Sequence, residues 1–164
     1  MSKKVKALYP GSFDPITTGH LDILDRSLSV VSEVRILVAG SVRKQALFNL
    51  EERVEVIQKT IEGRPNVSVD SWDGLIMDYA KKNNYQVLIR GLRAASDFEY
   101  EFMMAGMNKK LNSDVETVFM MTSEHLFFVS STMIKELHAF GGDISPYVPK
   151  PVHEYLKKRK TKNG

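Results

Sequence analysis

Short apolar runs of strand length alternate along this chain with segments whose apolar residues recur at the helical period. The candidate strands are residues 5–9, 34–39, 67–71, 87–89 and 117–121. The helical patterns between them include Leu21, Leu24, Leu28 and Val31, and then Leu50, Val54, Ile57 and Ile61. Such alternation is typical of a parallel sheet covered by helices. It predicts an α/β fold with one doubly wound parallel sheet of about five strands, whose ligands bind beyond the carboxyl ends of the strands.

Capping signals predict where the helices begin and end. Two pairs of residues have the capping-box spacing, in which each side chain accepts the backbone N–H of the other residue: Asn49 with Glu52, and Ser96 with Glu99. They predict helices that begin near residues 50 and 97. Gly141 and Gly142 are expected to end a further helix that begins near residue 131, and Pro151 is expected to lead into a last helix.

Length, charge and cysteine content restrict the function. The 164 residues suit a single domain, 1–164, and the absence of Cys excludes disulfides, Cys-ligated metals and a thiol nucleophile. Eight of the 23 basic residues lie in segments 1–6 and 157–164, which leaves 15 basic against 20 acidic residues elsewhere. This acidic body argues against a nucleic-acid binder, and 157–164 is expected to be a frayed basic tail. We recognise no signal peptide or membrane span, so a cytoplasmic protein without membrane attachment is expected.

The loop after the first strand combines features of an anion site. It reads P-G-S-F-D-P-I-T-T-G-H over residues 10–20. Gly11 permits close approach of the backbone, and Ser12 and the exposed amides supply neutral donors for phosphate oxygens. Thr17 and His20 are three residues apart, so both can face a phosphate at the positive end of the following helix. The alternative is that His20 only caps backbone groups in the first turn of that helix.

Three further loops carry side chains suited to phosphate. They read G-S-V-R-K-Q at 40–45, R-G-L-R at 90–93 followed by D-F-E-Y-E at 97–101, and S-S-T at 130–132. All are expected where a doubly wound sheet binds its ligands. Two simpler interpretations stay open: Arg90 and Arg93 can pair with Asp97 and Glu101 at the surface, and the hydroxyl groups of 130–132 can cap a helix.

Taken together, these segments resemble the phosphopantetheine adenylyltransferases, a family of the nucleotidyltransferase superfamily, whose motif after the first strand is (H/T)-x-G-H. The resemblance extends from the first strand to the last helix. It implies a Rossmann-like nucleotidyltransferase fold and transfer of the adenylyl group of ATP to 4′-phosphopantetheine, which yields dephospho-coenzyme A and pyrophosphate in coenzyme A biosynthesis. It also implies a homohexamer, and ATP chemistry implies Mg²⁺ held by phosphates and water rather than by protein ligands.

The residues fit direct in-line attack without a covalent enzyme intermediate. No nucleophile stands in a triad-like setting, and phosphoryl transfer needs mainly positioning and stabilisation of charge. The resemblance implies catalytic roles for His20, Lys44 and Arg93. It implies contacts with the acceptor for Ser12, Lys44, Ile76 and Arg90. It implies contacts with ATP for Ser12, Phe13, His20, Gly91, Leu92, Arg93, Glu101, Leu126, Phe127, Phe128, Val129, Ser130, Ser131 and Thr132.

Alternatives to this function remain open from the sequence. A cytidylyltransferase or a nicotinamide mononucleotide adenylyltransferase usually carries H-x-G-H and lacks the R-G-L-R with D-F-E-Y-E, so both are less favoured. A non-catalytic nucleotide-binding module on the same fold is the alternative from a different class.

One predicted helix has an apolar face, formed by Phe98, Phe102, Met103, Met104 and Met107. We expect this face to pack in the core or, by the resemblance, partly in a subunit interface.

Overall fold

A computed structural model describes residues 5–40 and 46–162, and within them five strands form one sheet. The strands are β1 (Lys6–Gly11), β2 (Glu33–Ala39), β3 (Val67–Trp72), β4 (Val87–Leu92) and β5 (Glu116–Met121). Their order across the sheet is β3-β2-β1-β4-β5, and every neighbouring pair is parallel. This confirms the predicted doubly wound α/β sheet.

The helices of the described residues connect these strands and cover both faces of the sheet. They are α1 (Thr18–Ser27), α2 (Leu50–Thr60), α3 (Ile76–Lys82), α4 (Ala95–Leu111), α5 (Ser131–Ala139) and α6 (Lys150–Lys162). A short 3-10 turn, Glu124–Leu126, follows β5. None of the helices in the described ranges combines the length and the apolar character needed to cross a membrane.

The central strand β1 has apolar residues in succession because both of its faces are buried. Ala7 and Tyr9 point into one core cluster, together with Ile23 of α1, whereas Leu8 points into a second cluster on the opposite face, together with Met77 of α3. Two cores therefore hold the sheet from both sides, and the carboxyl ends of its strands are left to form a site.

One capping box was predicted correctly and the other was not. Asn49 Oδ1 accepts the N–H of Glu52 at 2.8 Å, Glu52 Oε2 accepts the N–H of Asn49 at 2.8 Å, and α2 begins at residue 50 as expected. In contrast, α4 begins at Ala95, so Ser96 lies inside its first turn. The N-cap is Ala94, which has no side-chain acceptor, and Asp97 accepts the backbone N–H of Arg93, the residue before it, at 3.2 Å.

Two other predicted boundaries require correction. The fourth strand continues beyond residue 89, because Arg90, Gly91 and Leu92 pair with residues of β5, so Arg90 and Gly91 lie in the strand and not in the loop after it. The segment 157–164, expected to be frayed, is helical as far as Lys162, where the described residues end. Arg159 holds this helix in place, since its guanidinium donates to the carbonyl of Leu47 and lies 6.0 Å from the centroid of the Phe48 ring.

Candidate active site

A cleft of about 440 Å³ opens at the carboxyl ends of β1 and β4. These strands are neighbours at the centre of the sheet, where the chain passes from the half that contains β2 and β3 to the half that contains β5. Such a reversal of strand order leaves a crevice in doubly wound sheets. Eleven of the predicted site residues line the cleft: Ser12, Phe13, His20, Arg90, Gly91, Arg93, Glu101, Val129, Ser130, Ser131 and Thr132.

The ring of His20 is held by the residue that caps its own helix. Thr17 is the N-cap of α1, and its backbone N–H donates to Nδ1 of His20 at 3.0 Å. The hydroxyl of Thr17 lies 2.9 Å from the same nitrogen. A backbone N–H can only donate, so Nδ1 is an acceptor and the proton of the neutral ring is on Nε2. Nε2–H is therefore the group that His20 can offer to a ligand in the cleft.

His20 is neutral at physiological pH. Desolvation by the surrounding protein, followed by the positive charges of Arg93 and Arg90, lowers the pKa of His20 to about 4. The capping interpretation of His20 is thus correct for Nδ1. It does not exclude a role in the cleft, because capping and donation use different nitrogens of one ring.

Phe13 anchors the loop between β1 and α1 through its buried side chain. Its backbone has φ of 45°, a left-handed conformation that is unusual for a bulky residue and that is often found at functional sites. The conformation directs its ring into the core, where it packs edge-on against His20 at a centroid distance of 5.0 Å. A Cβ on Gly11 would lie 3.0 Å from this ring, which explains why the loop has glycine there.

Arg90 forms a wall of the cleft together with Glu101 of α4. Its Nε and one terminal nitrogen donate to the two carboxylate oxygens of Glu101 at 2.7 and 2.5 Å, and its other terminal nitrogen donates to the carbonyl of Pro10 at 2.7 Å. The expected ion pair of Arg90 with Glu101 is present, but it is partly buried and not a surface pair. A guanidinium has five N–H groups, so two remain after these three bonds.

A smaller cavity of about 110 Å³, here called the side cavity, lies on the other side of this wall. Arg90, Glu101 and Pro10 line both spaces, and the side cavity is otherwise bounded by Ile76, Leu88, Thr117 and residues of α4 such as Tyr100, Met104 and Asn108. Arg90 thus stands where a ligand that extends from the main cleft would enter a largely apolar chamber.

Arg93 is held less tightly than Arg90. Its Nε and a terminal nitrogen lie 3.2 and 3.4 Å from the carboxylate of Asp97, and the side chain of Arg93 is 42% exposed. An exposed pair of this kind contributes little to stability. Arg93 can therefore exchange its carboxylate partner for a phosphate at low cost.

The start of α5 brings a second set of backbone amides to the cleft. Ser130 is the N-cap of α5, and its hydroxyl accepts the N–H of Met133 at 3.1 Å. The hydroxyl of Ser131 donates to the carbonyl of Pro15 at 2.8 Å and so ties α5 to the loop after β1. The capping interpretation is correct for Ser130, and the positive ends of α1 and α5 both border the cleft.

Comparisons with known proteins agree with this arrangement. A family model described as cytidylyltransferase-like matches residues 8–137. A phosphopantetheine adenylyltransferase of Syntrophus aciditrophicus is 49% identical over 96% of this chain and 94% of its own length. The enzyme of the same name from Geobacter metallireducens is 49% identical over 99% of both chains. This chain belongs to the phosphopantetheine adenylyltransferase family. The resemblance found in the sequence motifs is thereby confirmed.

Five residues for which the phosphopantetheine adenylyltransferase resemblance implied a role do not line the main cleft as described. Leu92 is buried at the end of β4, and Ile76 lines the side cavity instead. Leu126, Phe127 and Phe128 lie in or just after the 3-10 turn, and the rings of Phe127 and Phe128 are 58% and 45% exposed. A sixth residue, Lys44, falls in 41–45 and lies outside the described residues.

The cleft also contains residues to which the motifs of this adenylyltransferase family gave no role. Tyr9 of β1 lines it, and burial raises the pKa of this phenol, so the phenol stays protonated. Ile23 lies one helical turn after His20, a spacing that was visible in the sequence. Thr122 follows β5, and its neighbour Ser123 donates to Asp22 of α1 from its backbone N–H at 3.0 Å and from its hydroxyl at 2.7 Å.

Acidic side chains in the cleft are already paired with arginines. Asp97 and Glu101 are the carboxylates that line it, and they contact Arg93 and Arg90. Across residues 5–40 and 46–162, no group of three or more His, Asp or Glu side chains is arranged to hold a metal ion. The described part of the chain therefore does not form a cluster of three or more such side chains for a metal ion.

Proposed function

We propose that this protein transfers the adenylyl group of ATP to the phosphate of 4′-phosphopantetheine and releases dephospho-coenzyme A and pyrophosphate. Curated relatives that match over nearly the whole chain carry the name of this activity. The observation that carries the proposal in the structure is one cleft bordered by two helix N-termini, a neutral His20 and two arginines, with an apolar side cavity next to it.

The reaction proceeds by in-line displacement. An oxygen of the acceptor phosphate attacks the α-phosphorus of ATP, and the bond from that phosphorus to the bridging oxygen of the β-phosphate breaks. Pyrophosphate leaves with the electron pair of that bond. The attacking phosphate is anionic at neutral pH, so no protein base has to remove a proton. Catalysis therefore depends on positioning and on stabilising charge at the α-phosphate.

His20 supplies a directed donor for that charge. Its Nε2–H is fixed because Nδ1 accepts from Thr17, and its neutral state avoids strong binding of the ground state. Arg93 and the amides at the starts of α1 and α5 add positive potential on the same cleft. Donors that are already in place when charge develops stabilise the transition state more than the bound substrate.

The acceptor spans the wall formed by Arg90 and Glu101. The two remaining N–H groups of Arg90 are suited to its phosphate, with the hydroxyl of Ser12 on the other side of the cleft. The pantetheine arm then extends into the side cavity, where Ile76 and Met104 offer apolar contacts and Asn108 offers an amide. Glu101 keeps the guanidinium of Arg90 oriented between the two spaces.

Lys44 keeps its proposed role at the attacking phosphate, although it lies outside the described residues. The described residues on either side of 41–45 are fixed to the rest of the fold. Gly40 donates its N–H to the carbonyl of Trp72 at 3.1 Å. Leu47 donates its N–H to Asp14, in the loop after β1, at 3.0 Å.

Mg²⁺ belongs to this proposal as a partner of ATP. The carboxylates of the cleft are paired with arginines, so the described residues do not provide a set of ligands for the ion. Mg²⁺ coordinated by phosphate oxygens and water neutralises part of the charge of the nucleotide. We assign no step of the mechanism to it.

The test is a turnover assay with the parent protein. Pyrophosphate should form only when ATP and 4′-phosphopantetheine are both present with Mg²⁺, and mass spectrometry should find no adenylylated protein. CTP and nicotinamide mononucleotide, offered in parallel, test the other nucleotidyltransferase activities. Equal turnover with either of them, or ATP binding without any turnover, would contradict the proposal and favour another transferase or a nucleotide-binding module.

We also propose that the chain assembles as a homohexamer in the cytoplasm, where ATP is available. Helix α4 exposes large apolar side chains, among them Phe102 at 63%, Met103 at 66% and Met107 at 56%. Large exposed apolar side chains of this kind favour burial between subunits. Light scattering after size-exclusion chromatography should give six times the mass of one chain. A monomeric mass at micromolar concentration would refute the assembly.

A further inference from the structure

The start of α3 determines the shape of the side cavity, because its first residue, Ile76, is part of the cavity wall. The N-cap of this helix is Leu75, and no side chain caps the helix. The carbonyl of Leu75 accepts the first helical bonds, from the N–H of Asp78 at 3.1 Å and of Tyr79 at 3.3 Å. The first N–H groups of α3 therefore have no side-chain acceptor, and the side-chain attachment of this helix start is made through the carbonyl of Leu75.

Trp72 provides that attachment. It is the single Trp of the chain and the last residue of β3, and its indole N–H donates to the carbonyl of Leu75 at 3.0 Å. Gly74 lets the turn lie flat against the indole, since a Cβ there would be 2.9 Å from Nε1 of Trp72. The indole N–H thus joins the end of a strand directly to the start of the helix that carries Ile76.

The ring of Trp72 is itself braced. The ring of Tyr79 packs edge-on against it at 5.3 Å, and the ammonium of Lys82 lies 5.7 Å from its centroid. Tyr79 is almost fully buried, and its hydroxyl donates to Asp70 at 2.6 Å. The indole therefore has one well-defined position, from which its N–H constrains the turn.

We propose that Trp72 is a positioning residue for the acceptor substrate: its bond to the Leu75 carbonyl holds Ile76 in the wall of the side cavity. The inference rests on the proposed function, in which the pantetheine arm occupies that cavity. Trp72, Leu75 and Ile76 do not line the main cleft. Loss of the bond should therefore affect the acceptor and not ATP.

The test compares Trp72→Phe with the parent protein. Phenylalanine keeps an aromatic ring against Tyr79 but has no N–H for Leu75. The KM for 4′-phosphopantetheine should rise about 3- to 10-fold, the effect of losing one hydrogen bond. The KM for ATP and kcat should stay within about twofold of the parent, since the cleft donors are untouched. A purely structural role would lower the melting temperature without this difference between the two substrates.

Tyr79→Phe is the matched control. It removes a hydroxyl that bonds Asp70 and Arg35 in the same aromatic cluster but leaves the bond from Trp72 to Leu75 in place. It should lower the melting temperature and keep the parental KM for the acceptor. In the parent protein, the fluorescence of Trp72 should change saturably with 4′-phosphopantetheine and stay constant with ATP alone.

The outcomes separate this inference from the proposed function. A parent protein that releases no pyrophosphate refutes the function and the inference together. If the parent is active but Trp72→Phe keeps the parental acceptor KM, or Tyr79→Phe raises it equally, only the role of Trp72 is refuted. The role of Trp72 is also refuted if the fluorescence of Trp72 in the parent protein does not change on addition of 4′-phosphopantetheine, whether or not the variant folds.

Discussion

Replacement of His20 by alanine separates two functions that the structure gives to one imidazole. His20→Ala removes Nδ1, which accepts the N–H of Thr17 at 3.0 Å in the capping box of α1. It also removes Nε2–H, the donor assigned to the α-phosphate. Loss of a helix cap costs about 1 kcal/mol of unfolding free energy, which for a domain of this size lowers the melting temperature by about 2–4 °C.

The catalytic loss should be much larger than the loss of stability. Removing one donor that acts mainly in the transition state typically lowers kcat by about 10²- to 10³-fold. The affinity for ATP should stay within about threefold of the parent, because the neutral ring contributes little to ground-state binding. The assays are pyrophosphate release under saturating substrates, calorimetric titration with ATP, and thermal melting.

A second capping box in the same chain supplies the control. Asn49 and Glu52 cap α2 with the same pattern of two bonds, both of 2.8 Å, and neither residue lines the cleft. Asn49→Ala should lower the melting temperature as much as His20→Ala does and keep the parental kcat. The reasoning is refuted if His20→Ala retains kcat within about threefold, or if Asn49→Ala loses as much kcat as His20→Ala.

Three further predictions follow from single contacts. The pKa of His20 is lowered from its usual value to about 4 in the folded protein. As the pH falls, the unfolded chain therefore binds a proton at His20 before the folded chain does. The contribution of neutral His20 to the free energy of unfolding is lost as the pH falls from about 6.5 to about 4. Nitrogen NMR should show an Nε2-protonated ring throughout pH 6–8, and titration near 6.5 would contradict the neutral donor. Asp22→Asn weakens the two hydrogen bonds that Asp22 accepts from Ser123, the neighbour of Thr122 in the cleft. It should raise the KM for ATP several-fold, with little change in the KM for 4′-phosphopantetheine. Equal changes in both KM values would contradict this. Gly11→Ala forces its Cβ to 3.0 Å from the Phe13 ring, so calorimetry should show a destabilisation of about 1–3 kcal/mol, and an unchanged melting temperature would contradict it.

The sequence predicted those features that depend on local pattern. The apolar run of residues 5–9 predicted a strand, and its apolar residues follow one another because both faces of β1 are buried. Asn49 with Glu52 predicted the start of α2 because a capping box is formed by neighbours in sequence. The second such spacing failed because α4 begins one residue before Ser96, with Ala94 as its N-cap, so Ser96 is not in the capping position. Spacing identifies residues able to cap a helix, but it does not show at which residue the helix begins.

The motifs could not predict which residues of the site line the cleft. The run 126–132 implied seven consecutive contacts with ATP, yet Leu126, Phe127 and Phe128 do not line the cleft, whereas α5 begins at Ser131 beside it. Tyr9 was missed for the opposite reason. Its position in an apolar strand favoured a core role, and only the folded structure shows that Tyr9 also lines the cleft.

The pairing of both arginines with carboxylates bears on how the cleft can distinguish the transition state from the bound substrates. Arg90 with Glu101, and Arg93 with Asp97, carry no net charge as pairs, so among the described residues the positive potential of the cleft depends on oriented N–H groups of the guanidinium groups and of the helix N-termini. The pair with Glu101 holds the guanidinium of Arg90 in place, whereas the looser pair with Asp97 lets Arg93 change its partner, and both pairs leave some N–H groups available. A neutral His20 completes a set of oriented donors with modest attraction for the ground state. Such a set stabilises the charge that develops only during transfer, which is the condition for raising kcat instead of only tightening binding.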